Sequence, residues 1–125
     1  MKARGFTLIE LLIVVVIIGI LASIAIPKFA NTKQKAYVAQ MKSDLKNLAT
    51  AEEAFFYDST YYTSSLASLN NFNPSTGVTL NVLEATPGGW SARAIHSQTP
   101  RQCVLYQGNA AVVPPATSEG RITCT

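Results

Sequence analysis

Residues 5–29 read "GFTLIELLIVVVIIGILASIAIPKF", a near-continuous apolar run interrupted by one carboxylate, Glu10. Between Phe6 and Ile26 no other charge occurs. As a helix rising 1.5 Å per residue, this segment extends about 30 Å, the thickness of the hydrocarbon core of a bilayer. Aliphatic residues fall on every side from Leu11 to Leu21, leaving no polar stripe for water, so lipid or other helices must surround it. Gly19 weakens the helix by about 1 kcal/mol relative to Ala. Pro27 offers no N–H to the Ser23 carbonyl, so the helix is expected to bend or open locally there. Glu10 is the anomaly. A charged residue costs about 2.5 to 3.5 kcal/mol at mid-bilayer, which makes Glu10 a candidate for pairing with an ammonium group. The alternative is a place in the first helical turn, where the dipole favours an acid by about 0.3 to 1 kcal/mol.

The remainder of the 125-residue chain has room for one small domain. A hydrophobic fraction of 48 % and a net charge of +3 exclude a disordered tail and give no sign of a strongly basic nucleic-acid binder. From residue 28 to 57, apolar residues recur at Phe29, Tyr37, Met41, Leu45, Leu48 and Phe55 with no Gly or Pro between them. This spacing predicts an amphipathic helix continuing the first, together about 78 Å long at 1.5 Å per residue. Lys28, Lys33, Lys35, Lys42 and Lys46 come early and Glu52 and Glu53 late, the reverse of what a helix dipole prefers. Two readings fit: an acidic band facing the basic band of a neighbouring copy, or a solvated face.

Residues 58–77, "DSTYYTSSLASLNNFNPSTG", read as a connector with a short helix near 65–69, anchored on the long helix by Tyr61 and Tyr62. The stretches "VTLNVLEA", "GWSARAIHS", "QCVLYQG" and "GRITC" read as short strands of an antiparallel sheet lying on the second half of the helix. Cys103 and Cys124, an even count beyond a membrane-inserting segment, suggest a disulfide; two unpaired buried thiols are the alternative. The bond would close a loop of about 22 residues, worth about 3 kcal/mol in the chain-entropy model. The one histidine, His96, has no metal-ligand companions at useful spacing and reads as structural or surface. With no phosphate loop, paired catalytic carboxylates or nucleophile elbow, neither catalysis nor a cofactor is expected. The aromatics, Phe29, Tyr57 and Trp90 among them, read as core packing rather than as a charge-transport path.

Lys2-Ala3-Arg4-Gly5 followed by Phe6-Thr7-Leu8-Ile9-Glu10 resembles the class III signal of type IV pilins, which has a basic leader, Gly before the cut, an aromatic amino terminus and a carboxylate four residues on. Gly19 and Pro27 also stand where such pilins have helix-breaking residues, so the resemblance runs from Lys2 to about Tyr62. It implies an α+β pilin fold, with a long N-terminal helix packed against a C-terminal antiparallel sheet of about four strands. The expected division is a leader at 1–5, a transmembrane and filament-core helix half at 6–27, an amphipathic half at 28–57, a connector at 58–77 and a sheet with its disulfide loop at 78–125. A prepilin peptidase would cut between Gly5 and Phe6 and methylate the new amine of Phe6. That amine would pair with Glu10, and the segment from Gly19 to Pro27 would melt in the filament.

The implied function is that of a major pilin, a structural subunit held in the inner membrane and then polymerised with itself by pilus assembly machinery into an extracellular filament. Such filaments serve adhesion, twitching motility or DNA uptake, through binding to surfaces or DNA. Residues 108–120, "GNAAVVPPATSEG", read either as an exposed, functionally variable loop or as a connector. An alternative is a pseudopilin of a type II secretion system, which shares the N-terminal signal but usually lacks the C-terminal disulfide and carries a calcium site. An ordinary cleaved secretory signal ending near Ala25 and a membrane-anchored periplasmic binding module are the remaining alternatives.

Overall fold

In the computed structural model, which describes residues 2–125, a single helix, α1, runs over Leu8–Ser59 with Pro27 inside it. The helix continues past Pro27 to Ser59. Contacts divide the chain into two units, Met1–Lys33 and Gln34–Thr125, and each is described in turn.

The second unit contains the sheet. Strands β1 (Val78–Thr86), β2 (Gly89–His96), β3 (Thr99–Gly108) and β4 (Thr123–Cys124) form an antiparallel meander in the order β1-β2-β3-β4. Its core joins Val38, Met41, Leu45 and Leu48 of α1 to Leu80, Trp90, Ala92, Ala94, Cys103 and Leu105 of the sheet. The period of the helix and the alternation of the strands meet here: Met41, Leu45 and Leu48 share one helical stripe, and Trp90, Ala92 and Ala94 share one face of β2. Ala92 and Ala94 are fully buried.

The opposite face of β3 is also covered. Val104 and Tyr106 pack with Ala110, Val113 and Ala116, so residues 108–120 are not simply an exposed loop: three of their apolar side chains join a second, smaller core. Coverage on both sides explains why Cys103, Val104, Leu105 and Tyr106 are all buried in succession. The loop departs from the sheet at Gly108, where φ is +64° and a Cβ would collide with the Gly88 carbonyl oxygen, so only glycine fits.

Two strand boundaries and one register differ from the sequence expectation. β3 begins at Thr99, three residues early, because Pro100 falls where the β2–β3 register slips and no ladder bond is demanded of it. β4 spans only Thr123–Cys124, held at the sheet edge by its pairing with Cys103 and Val104. In β1 the register shifts between Val82 and Glu84, so Leu83 is left 46 % exposed as the extra residue of a bulge. The connector's expected short helix is a single 3₁₀ turn, Leu66–Ser68.

Candidate functional site

At the N-terminal end, Gly5 and Phe6 precede the helix. A Cβ on Gly5 would meet nothing, and Phe6 is 85 % exposed. Thr7 then starts α1 with a reciprocal cap: its backbone N–H and its hydroxyl each donate to Glu10 Oε2 at 2.8 Å, and the Glu10 N–H donates to Thr7 Oγ1 at 3.3 Å. This is a capping box, and Thr7-Leu8-Ile9-Glu10 carries its T-x-x-E signature, a signal that the charge of Glu10 alone does not reveal. The Glu10 carboxylate is therefore already used inside the chain, at the helix end where the dipole favours it.

Beyond the cap, the most apolar 18-residue window has a mean hydropathy of 3.0 and is wholly unburied, long and apolar enough to cross a membrane. Exposure of its large side chains runs from 48 % at Val14 to 83 % at Leu8. Ser23 makes no demand on its surroundings, because its hydroxyl donates to the Ile20 carbonyl at 2.7 Å. A Cβ at Gly19 would touch nothing in the chain, so no internal contact requires glycine there. Phe29 is 63 % exposed beneath the Lys33 ammonium, 5.1 Å from the ring centroid, and is not a core residue.

In the second unit, two acids occupy the buried stripe of α1 where only apolar residues were expected. Asp44 accepts from the Ser75 N–H at 2.9 Å and the Ser75 hydroxyl at 2.8 Å, which ties the connector to the helix. Glu52 is fully buried and accepts from the Thr63 N–H at 3.1 Å, while its Oε1 has no partner. Burial pushes its carboxyl above the usual range, against the lowering effect of the Thr63 bond. Glu53 accepts from the Tyr62 hydroxyl at 2.9 Å. The expected acidic band facing a neighbour is thereby corrected: Glu52 is inside and Glu53 is engaged. The signal was the spacing of 41, 44, 45, 48 and 52, which puts Asp44 and Glu52 on the core stripe and requires partners for them.

Tyr61 and Tyr62 do fold the connector onto the helix, edge-on against Phe55 at 5.5 Å and stacked on Phe56 at 4.7 Å. His96 is buried, stacked on Tyr37 at 4.3 Å, and its Nδ1 accepts from the Gln98 N–H. Gly77, at φ +86°, packs so closely that a Cβ would lie 2.8 Å from His96 Nε2. Cys103 and Cys124, directly paired across β3 and β4, are joined as a disulfide. Tyr57, also expected to pack in the core, is instead 88 % exposed.

The model of the prokaryotic N-terminal methylation motif matches residues 1–26. The type IV major pilin protein PilA of Myxococcus xanthus is 49 % identical over 76 residues, covering 61 % of this chain and 34 % of that protein. The match thus spans about a third of that relative's length. The type II secretion system core protein G of Escherichia coli is 41 % identical over 61 residues, 49 % of this chain and 42 % of that protein. The type IV wide pilus major component PilA4 of Thermus thermophilus is 33 % identical over 99 residues, 77 % of this chain and 76 % of that protein. These relatives are filament and secretion-system components rather than enzymes. A capped apolar helix whose second half carries a four-stranded antiparallel sheet, a methylation motif over its first residues, and a pilus component aligned along most of both chains lead to one assignment: the chain belongs to the type IV pilin-like family.

Proposed function

We propose that the chain is a major pilin, a subunit that waits in the inner membrane and polymerises with itself into an extracellular type IV pilus. The observation that carries this is the apolar stretch of α1, unburied by anything in its own chain yet joined to a well-packed, disulfide-closed unit. Leaving such a surface in water is untenable, and removing it from water is worth about 25 cal/mol per Å². Lipid covers it before assembly, and the same stretch of other copies covers it afterwards.

On this proposal, a prepilin peptidase cuts between Gly5 and Phe6, where glycine presents no side chain to the cleft and the basic leader, Lys2 and Arg4, holds that end in the cytoplasm. Methylation falls on the Phe6 amine. Glu10 of one subunit then takes the amine of another, in addition to capping its own helix. Gly19 and Pro27 bracket the part of α1 that opens on assembly, and the division into leader, core half, amphipathic half, connector and sheet follows from these roles. Pilus assembly machinery supplies the energy of extraction, and the filament serves adhesion, motility or DNA uptake.

The test is mass analysis of sheared surface filaments. A subunit starting at a methylated Phe6, two hydrogens lighter than its reduced form, is expected; a chain starting after Ala25 would sink the proposal. A pseudopilin of a type II secretion system is the second reading, favoured by the similarity to core protein G over 61 residues. The longer alignment with the wide-pilus component, which extends beyond the helix, favours the pilin.

A further inference from the structure

The carboxylates and the cations of the second unit are used differently. Of its six carboxylates, five accept hydrogen bonds within the chain: Asp44 from Ser75, Glu52 from Thr63, Glu53 from Tyr62, Glu84 from the Ala111 N–H and Glu119 from the Gly108 N–H. Asp58 is exposed and, among the described residues, accepts none. It follows Tyr57, which at 88 % exposure is the most exposed large apolar side chain of the unit. The last turn of α1 thus presents an aromatic ring and a free carboxylate side by side.

Elsewhere on the same unit lies an open groove of about 600 Å³ with the opposite character. Lys42 and Lys46, one turn apart on α1, line it with Arg121 from the C-terminal segment, and Leu105 and Ile122 supply an apolar wall. No carboxylate lines it. Like charges one turn apart destabilise an isolated helix, and nothing inside the groove offsets the repulsion.

We propose that the groove is the receptor for Tyr57 and Asp58 of a second copy of this chain. The Asp58 carboxylate sits among the two ammonium groups and the Arg121 guanidinium, and the Tyr57 ring lies against Leu105 and Ile122. Arg and Tyr are the side chains that most often anchor protein interfaces. Knob and groove are different patches on one chain, so the contact is head-to-tail and propagates rather than closing as a symmetric pair. Along the helix, Asp58 lies about 14 residues beyond the midpoint of the lysines, so parallel copies joined this way are staggered by about 21 Å at 1.5 Å per residue. The contact rests on the proposed filament and assigns it one lateral register.

The experiment uses cells expressing the full chain, with sheared filaments quantified against membrane-held subunit. Asp58→Lys is expected to lower filament yield roughly tenfold, because a weak pairwise contact is multiplied along a polymer. The swap of Asp58→Lys with Lys46→Asp is expected to restore most of it. Asp58→Cys with Lys46→Cys should give an oxidation-dependent ladder of subunits from filaments, whereas Asp58→Cys alone should not. Normal yield from Asp58→Lys together with no ladder from the double-cysteine filaments overturns the proposal and leaves the filament itself standing. If the unaltered chain makes no filaments, the proposed function fails instead. Retention of a short DNA duplex by filaments of the unaltered chain, lost in Lys42→Asp/Lys46→Asp but unaffected by Asp58→Lys, would also overturn it, by making the groove a nucleic-acid site.

Discussion

Val14, Ile17 and Leu21 are as apolar as Met41, Leu45 and Leu48, and all six lie on one helix, yet the first three are 48 %, 55 % and 62 % exposed and the second three are fully buried. The difference lies in their neighbours in sequence. The second stretch carries polar positions between its apolar ones, so it presents one stripe to a sheet and another to water. The first is apolar all round, so no single sheet could satisfy it. Folding energy is therefore already realised around residues 38–52, whereas residues 8–26 hold theirs in reserve for a surface that comes from elsewhere.

The sharpest way to break this contrast is to truncate equivalent side chains in both stretches and measure denaturation of the full chain in detergent. Leu45→Ala is expected to cost about 2 to 5 kcal/mol in the second unit, while Leu21→Ala should leave that transition unchanged. Removing both cysteines by Cys103→Ser with Cys124→Ser should cost about 3 kcal/mol, because the bond closes a long loop and pins β4. Asp44→Ala should cost about 2 kcal/mol, since it strands the Ser75 N–H and hydroxyl together. Thr7→Ala removes one partner of the capping box and should cost the first turn about 1 kcal/mol, read as faster amide exchange at Leu8 to Leu11. Glu10→Gln keeps the cap geometry but not the charge, so an assembly defect in Glu10→Gln with normal exchange would separate the intersubunit role from the local one.

The smallest effect concerns pH. Because burial raises the folded-state affinity of Glu52 for its proton, the native chain binds more protons than the unfolded one between the ordinary carboxylate pKa and the raised value. Through that window stability should fall as pH rises, and below it the penalty disappears. Glu52→Gln should flatten this part of the profile. An unchanged slope would mean that Glu52 is not the group responsible.

The hydrophobic pattern made much of this legible. Continuous aliphatics marked the unpartnered stretch, the 41-45-48 spacing marked the buried stripe, and short strands with Pro and Gly punctuation marked the antiparallel sheet. Acids were harder, because Asp44 and Glu52 look like surface residues until a partner 31 or 11 positions away is known to reach them. Pro100 hid the start of β3, since a register slip that tolerates proline is a property of two strands together. Residues 108–120 hid a small core for a similar reason: three short apolar residues are not a stripe of any period, and only the outer face of β3 gathers them. The cap at Thr7 was written in four consecutive residues and needed only to be looked for.

That cap bears on the cleavage proposed between Gly5 and Phe6. Thr7 and Glu10 both lie on the C-terminal side of the Gly5–Phe6 bond, and neither uses a group from residues 2–5 to hold the helix start. Severing the bond would expose a new amine without shifting where the helix begins. The proteolytic step and the helical register are in this sense decoupled, so a precursor and its product can offer their neighbours the same frame of side chains, while the basic side chains of Lys2 and Arg4 give way to the amine of Phe6 alone.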